Sequence, residues 1–194
     1  MIVFSKLLNE DRSKTSVRKG CLMAMVPKEV CEKILAFSQK VIPDQNLYLE
    51  GNEYGRETES HVTVRYGFTK DLNELEVRQL LKGYKPFTLE VIEMDKFDSN
   101  SNYDVVKFRV DSPVLKELHQ ISGIYPNESD YPEYNPHLTL AYVKKGSFPH
   151  LKEGLRLKIP VRTLCYSPIS GDKTYYELDE SFQESDYKHS SIKP

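Results

Sequence analysis

Apolar positions along this chain recur with two periods, and the switches between them mark out the elements. GCLMAMV at 20–26 is a short unbroken apolar run, predicted to be a buried strand. From Pro27, Val30, Ile34, Leu35, Phe37 and Val41 fall near one face of a helix that Pro43 ends. Residues 50–60, EGNEYGRETES, form a Gly- and acid-rich loop, and HVTVRYGF at 61–68 alternates as a strand does. A second helix is predicted over 71–84 through Leu72, Leu75, Val77, Leu80 and Leu81. FTLEVIEMDKF (87–97) and YDVVKFRV (103–110) are strands divided by the turn segment DSNSN. A third helix pattern covers 112–125, a polar loop follows at 126–136, and HLTLAYV (137–143) is again a strand. Two more strands are predicted at 159–166 and 174–178.

Interleaved strands and helices give an α+β class. The domain is expected to span 20–179, with a polar lead-in at 1–19 and a polar tail at 180–194. The strongest feature is an internal echo. His61-Val-Thr-Val-Arg-Tyr66 matches His137-Leu-Thr-Leu-Ala-Tyr142 position by position, and each copy follows a helix and then a loop. Two similar lobes sharing a cleft would produce this pattern.

Composition narrows the partners. The 194 residues carry a net charge of −2, with 39% hydrophobic and 29% charged residues. Lys and Arg are scattered, whereas a protein that wraps long DNA or RNA needs a basic stripe to neutralise phosphates. A small phosphorylated ligand fits better than a long polyanion. The three cysteines, Cys21, Cys31 and Cys165, are too far apart to suggest a zinc site or a disulfide framework and are read as thiols in a reducing compartment. With no apolar run near the ~20 residues of a membrane span, the expected setting is the cytoplasm (that of the host, if the chain is viral), with a monomer, no membrane and no cofactor.

Side chains at i and i+2 of a strand share a face. His61 and Thr63 therefore lie together, opposite Val62, Val64 and Tyr66; His137 and Thr139 lie together, opposite Leu138, Leu140 and Tyr142. Two histidines across a cleft suit phosphodiester cleavage, because an unperturbed pKa of roughly 6.5 lets one accept a proton while the other donates. The threonine hydroxyls can donate to non-bridging phosphoryl oxygens. A lone His-x-Thr is weak evidence, since a single strand histidine is more often structural; two copies in matching context are not easily accidental. Two histidines without clustered Asp, Glu or Cys do not make a metal site, so the scheme is metal-independent.

HVTVRYGF and PHLTLAYV resemble the paired HxT motifs of the 2H phosphoesterase superfamily, which includes LigT-like enzymes and cyclic nucleotide phosphodiesterases. The resemblance covers about residues 20–178 in element order. It implies a bilobal α+β fold, with helices outside two pseudo-symmetric lobes of antiparallel strands and the motifs facing across a central groove. It also implies that His61 and His137 are the acid/base pair, with Thr63 and Thr139 as phosphate-holding hydroxyls. The approach to the first motif, EGNEYGRETESHVTVRYG, resembles versions from phage genomes. Some of these degrade the cyclic oligonucleotide signals of bacterial anti-phage immunity, the anti-CBASS nucleases.

Substrate contacts are expected from Arg65, placed by alternation on the His61 face, and from the loop tyrosines Tyr54, Tyr131 and Tyr134, with Tyr48 a further candidate for stacking on a base. The plainer alternatives are a strand-end ion pair for Arg65 and simple packing for some of the 13 tyrosines. Tyr66 and Tyr142 are read as core residues, and His119, His150 and His189 as surface or boundary histidines. The loop GDK at 171–173 could act as a lid. The sequence thus predicts a metal-independent phosphodiesterase acting on a cyclic oligonucleotide signal or a 2′,3′-cyclic phosphate. A nucleotide-binding protein without turnover, or a 2′–5′ phosphodiesterase/ligase working on RNA ends, are the alternatives.

Overall fold

The computed structural model describes residues 18–50, 54–97, 101–129, 133–149 and 153–178. The expected lead-in and tail fall almost wholly outside them, as do Tyr131, His150 and His189. Eight strands and three α-helices follow in the order β1 (Gly20–Met25), α1 (Lys28–Val41), β2 (His61–Phe68), α2 (Glu74–Leu81), β3 (Phe87–Phe97), β4 (Tyr103–Asp111), α3 (Pro113–Ser122), β5 (His137–Lys144), β6 (Glu153–Val161), β7 (Thr163–Ser167) and β8 (Thr174–Glu177). Helix α2 is shorter than its apolar pattern because Asn73 and Glu76 close a reciprocal capping box at its start. The strand expected at 159–166 is the end of β6 and the start of β7, broken at Arg162, whose carbonyl accepts from Leu178 N–H at 2.7 Å. Pro160 is accommodated because β6 is an edge strand.

The strands form one antiparallel sheet in the order β6-β3-β4-β5-β2-β1-β7-β8. Its two halves, β5-β4-β3-β6 and β2-β1-β7-β8, meet at a single bridge, Val62 to Leu138. Beyond that bridge, each of the two central strands is edged by the loop that leads into the other. Tyr142 N–H donates to the Gly55 carbonyl (2.8 Å) and Glu57 N–H to the Leu140 carbonyl (2.9 Å). In the mirror position, Glu128 N–H donates to the Gly67 carbonyl (2.8 Å) and Thr69 N–H to the Pro126 carbonyl (3.1 Å). The two-lobed symmetry suggested by the repeated motif is therefore built into the backbone.

Helices cover one face of the sheet. Leu22, Val62, Val64, Leu138, Leu140 and Ala141 from the central strands pack there with Ile34, Val77, Leu80, Leu115 and Leu118 from the helices. Burying these apolar stripes against each other is the main driving force, each large side chain contributing about 1.5–3 kcal/mol. The opposite face carries a small separate cluster, Cys21, Met23, Met25 and Cys165, with Tyr66 packed against it.

Candidate active site

Antiparallel continuation from the Val62–Leu138 bridge sets His61 beside Thr139 and Thr63 beside His137 on the face away from the helices. The four residues thus surround the pseudo-two-fold axis. Each ring is held in the same manner. His61 Nδ1 bonds the Glu59 carbonyl at 2.9 Å, and His137 Nδ1 bonds the Asn135 carbonyl at 2.8 Å. A carbonyl only accepts, so Nδ1 carries a proton in both rings and proton exchange with a ligand falls to Nε2. The Thr63 hydroxyl oxygen is buried, with no oxygen or nitrogen partner among the described residues and the Cys21 thiol beside it.

The surroundings of the two histidines differ. Burial lowers the pKa of His61, while the carboxylates of Glu57 and Glu59 pull it back up. His137 is pushed down to about 4 by burial first, despite its bond to the Asn135 carbonyl, with Lys107 and His61 adding like charge. Glu57 is itself buried, and its Oε1 accepts from the Thr58 and Glu59 amides at 3.0 Å each. Lys173, from the loop read as a lid, reaches Glu59 at 2.8 Å, and the Tyr175 hydroxyl lies 3.3 Å from the same carboxylate.

Strict alternation fails immediately after each threonine. Leu22 pairs with Arg65 and Met23 with Thr63, so Val64 is skipped; Val106 pairs with Ala141 and Lys107 with Thr139, so Leu140 is skipped. A β-bulge of this kind turns the following side chains over. Arg65 accordingly leaves the His61 face, contrary to the sequence expectation. Its guanidinium bonds Ser122 Oγ (3.2 Å), Asn127 Oδ1 (3.2 Å) and the His119 carbonyl at the end of α3. Tyr66 and Tyr142, expected in the core, turn to the site face instead. Tyr66 joins the sulfur cluster, and Tyr142 stacks edge-on with Tyr54 (5.3 Å) and Tyr103 (5.5 Å), with Tyr48 completing the group. Tyr54 is thus brought to the site face as one ring of an aromatic group.

Tyr134 takes a supporting position. Its hydroxyl donates to the Thr63 carbonyl (3.0 Å) and its ring stacks on His119 at 3.9 Å. His119, expected at the surface or boundary, is half-buried and bonds the Val64 carbonyl through Nδ1 (2.7 Å), so the pair fills the gap where β2 and β5 diverge. Residues that alternation alone did not single out also line the site. Lys107 lies across from Thr139 and Arg109 across from His137. Lys107 is buried, 3.7 Å from Asp95 and 4.2 Å over the Phe97 ring, whose edge meets His137. The signal for them is present in YDVVKFRV, where Lys107 and Arg109 alternate with Val106, Phe108 and Val110. Among the described residues no group of three or more His, Cys, Asp or Glu is placed to hold a metal, and no helix is long and apolar enough to cross a membrane.

A curled eight-stranded antiparallel sheet with helices on one face is the fold of the 2H phosphoesterases. Solved structures of that superfamily superpose on it. TT0787 of Thermus thermophilus matches with a TM-score of 0.53 and 16% identity over 83% of this chain and 95% of that one. Escherichia coli LigT, complexed with 3′-AMP, gives 0.52 and 18% over 84% and 95%. Usb1 of Kluyveromyces marxianus, with uridine monophosphate, gives 0.51 and 12% over 85% and 100%. Among curated proteins no sequence matches. Within the superfamily, residues 54–175 match the Anti-CBASS protein Acb1 family, and the chain belongs to it. By fold the chain is thus a 2H phosphoesterase-like protein, and by family an Anti-CBASS protein Acb1 relative.

Proposed function

We propose that this protein cleaves a phosphodiester of a small nucleotide, of the cyclic oligonucleotide immune-signal kind, by metal-independent acid/base catalysis with His137 as base and His61 as acid. The observation that carries the reading is the quartet His61, Thr63, His137 and Thr139 around the Val62–Leu138 bridge, with both Nδ1 atoms committed to backbone carbonyls.

His137 Nε2, neutral at physiological pH, takes the proton of the attacking hydroxyl or water as that oxygen bonds to phosphorus. His61 Nε2–H gives its proton to the leaving oxygen as the P–O bond breaks. The reaction leaves His137 protonated and His61 neutral, and exchange with solvent restores both. Burial lowers His61, so the reactive form is the fraction of the protein in which Glu57 and Glu59 help it to hold a second proton, whereas Lys107 disfavours one on His137. Thr63 and Thr139 hydroxyls donate to the non-bridging oxygens. Each proton transfer is worth about 10²–10⁴-fold in rate.

The test is turnover of a 3′,3′-cyclic dinucleotide and a 2′,3′-cyclic mononucleotide in excess chelator, with His61→Ala and His137→Ala alongside. Both variants should lose at least about 10²-fold. A nucleoside nitrophenyl phosphodiester, whose leaving group needs no proton, should restore His61→Ala but not His137→Ala. Rescue of the opposite variant would reverse the roles. Tight nucleotide binding without any turnover would sink the enzyme reading.

A further inference from the structure

The two halves of the site match in backbone but not in chemistry. The strand flanking β2 presents Met25 across from His61 and Met23 across from Thr63. The strand flanking β5 presents Arg109 across from His137 and Lys107 across from Thr139. Thioethers therefore stand on one side where cations stand on the other, and Cys21, Cys165 and Tyr66 continue the apolar half.

We propose that Arg109, backed by Lys107, forms a second phosphate subsite beside the catalytic quartet, so that the substrate carries a phosphate next to the scissile one. This rests on the phosphodiesterase reading above and assigns a residue to the phosphate that neighbours the scissile one in an oligonucleotide substrate.

Geometry supports this in three ways. Directly opposed residues of an antiparallel pair have Cβ atoms about 4.5–5.5 Å apart, so a group held at Arg109 is a near neighbour of one reacting at His137. Arg109 is 51% exposed, open to a ligand in a way that buried Lys107 is not. Glu93 pairs with it through Nε, at 2.8 Å. That contact orients the guanidinium, whose exposed side can meet a phosphate through its terminal nitrogens. Glu93, Asp95, Lys107 and Arg109 are together formally neutral, so the attraction is local to the Arg109 fork and does not extend to long polyanions.

Binding tests the subsite independently of catalysis. Adenosine 3′,5′-bisphosphate has two phosphates but no phosphodiester to cleave, and adenosine 3′-phosphate has one. Calorimetric Kd values for wild type should favour the bisphosphate by about tenfold, the worth of one charge-assisted contact. Arg109→Met, which copies the opposite half of the site, should erase that advantage while leaving the adenosine 3′-phosphate Kd within about twofold. Arg109→Lys, keeping charge without the fork, should retain part of it. No preference for the bisphosphate, or a preference that survives Arg109→Met, overturns the subsite. In turnover, Arg109→Met should raise KM for the cyclic dinucleotide by a larger factor than for the cyclic mononucleotide; equal loss on both would assign Arg109 to the scissile phosphate instead. Failure of wild type to cleave either compound would refute the enzyme reading and leave the binding result to stand alone.

Discussion

Val64 and Leu140 occupy the same position in the two repeats, one residue beyond the threonine, and both are skipped by the neighbouring strand. The bulges are thus repeated along with the HxT motifs. Each ends the stretch in which alternation aims side chains at the site and starts one in which the next residue faces the helices. The consequence is that only the His and Thr of each repeat, and the tyrosine three positions past the threonine, address the ligand face. Arg65 and Ala141 do not.

Arg65 is accordingly expected to matter for stability and not for chemistry. Arg65→Met removes charge-assisted bonds to Ser122, Asn127 and the His119 carbonyl, leaving the end of α3 without them. Such bonds contribute about 1.5–3 kcal/mol. Denaturant unfolding should show a loss of that order, with KM and kcat on the preferred nucleotide nearly unchanged. A selective rise in KM with wild-type stability would return Arg65 to the site.

The element order and the two His-x-Thr pairs proposed as the catalytic quartet were legible because they depend on short-range periodicity, and because a repeated His-x-Thr is rare enough to stand out. What could not be read depends on register. A bulge leaves no mark in the hydrophobic pattern of HVTVRYGF, since Val64 is apolar whether or not a partner skips it. Arg65, Tyr66 and Tyr142 were therefore assigned to the wrong faces. Lys107 and Arg109 alternate visibly with apolar residues, but their meaning requires knowing that β4 lies beside β5. His119 gained its place only because β2 and β5 diverge and leave the Val64 carbonyl to be satisfied.

Gly67 has φ +107°, and a Cβ there would lie 2.0 Å from the Glu128 carbonyl oxygen. The Gly67 carbonyl in turn accepts from Glu128 N–H, anchoring the loop that leads to His137. Gly67→Ala should cost about 1–3 kcal/mol from the backbone conformation alone, and more from the clash. Urea unfolding should show the loss, and turnover should fall with it because the second motif is no longer held in place. An unchanged midpoint would mean that the loop moves aside at little cost.

Stability should decline as pH falls from about 6.5 towards 4. Burial is the leading cause that lowers His61, His119 and His137, the last to about 4 from an ordinary 6.5. Well above 6.5 these rings are mostly neutral in both the folded and the unfolded chain, and little is gained or lost. Below it the unfolded chain takes up protons first, so unfolding becomes progressively easier until His137 also protonates in the fold. Denaturant midpoints measured across this window should fall steadily, and His137→Asn should flatten the slope. A variant whose slope equals that of wild type would show that His137 titrates normally.

Thr63 should separate function from stability most clearly. Among the described residues its hydroxyl oxygen is buried with no oxygen or nitrogen partner; only the Cys21 thiol, which itself donates to the Leu22 carbonyl at 3.8 Å, is close enough to interact with it. An unsatisfied buried hydroxyl costs about 1–3 kcal/mol, a cost that makes sense where a phosphoryl oxygen completes the bond. Thr63→Val keeps the shape and removes the polar atom. Unfolding should show equal or greater stability, by up to about 1 kcal/mol, while kcat falls about 10²-fold, as on loss of one transition-state donor. Thr139→Val should match the fall in kcat. A Thr63→Val protein that is less stable but turns over normally would make the hydroxyl a packing feature and leave Thr139 as the lone phosphoryl donor.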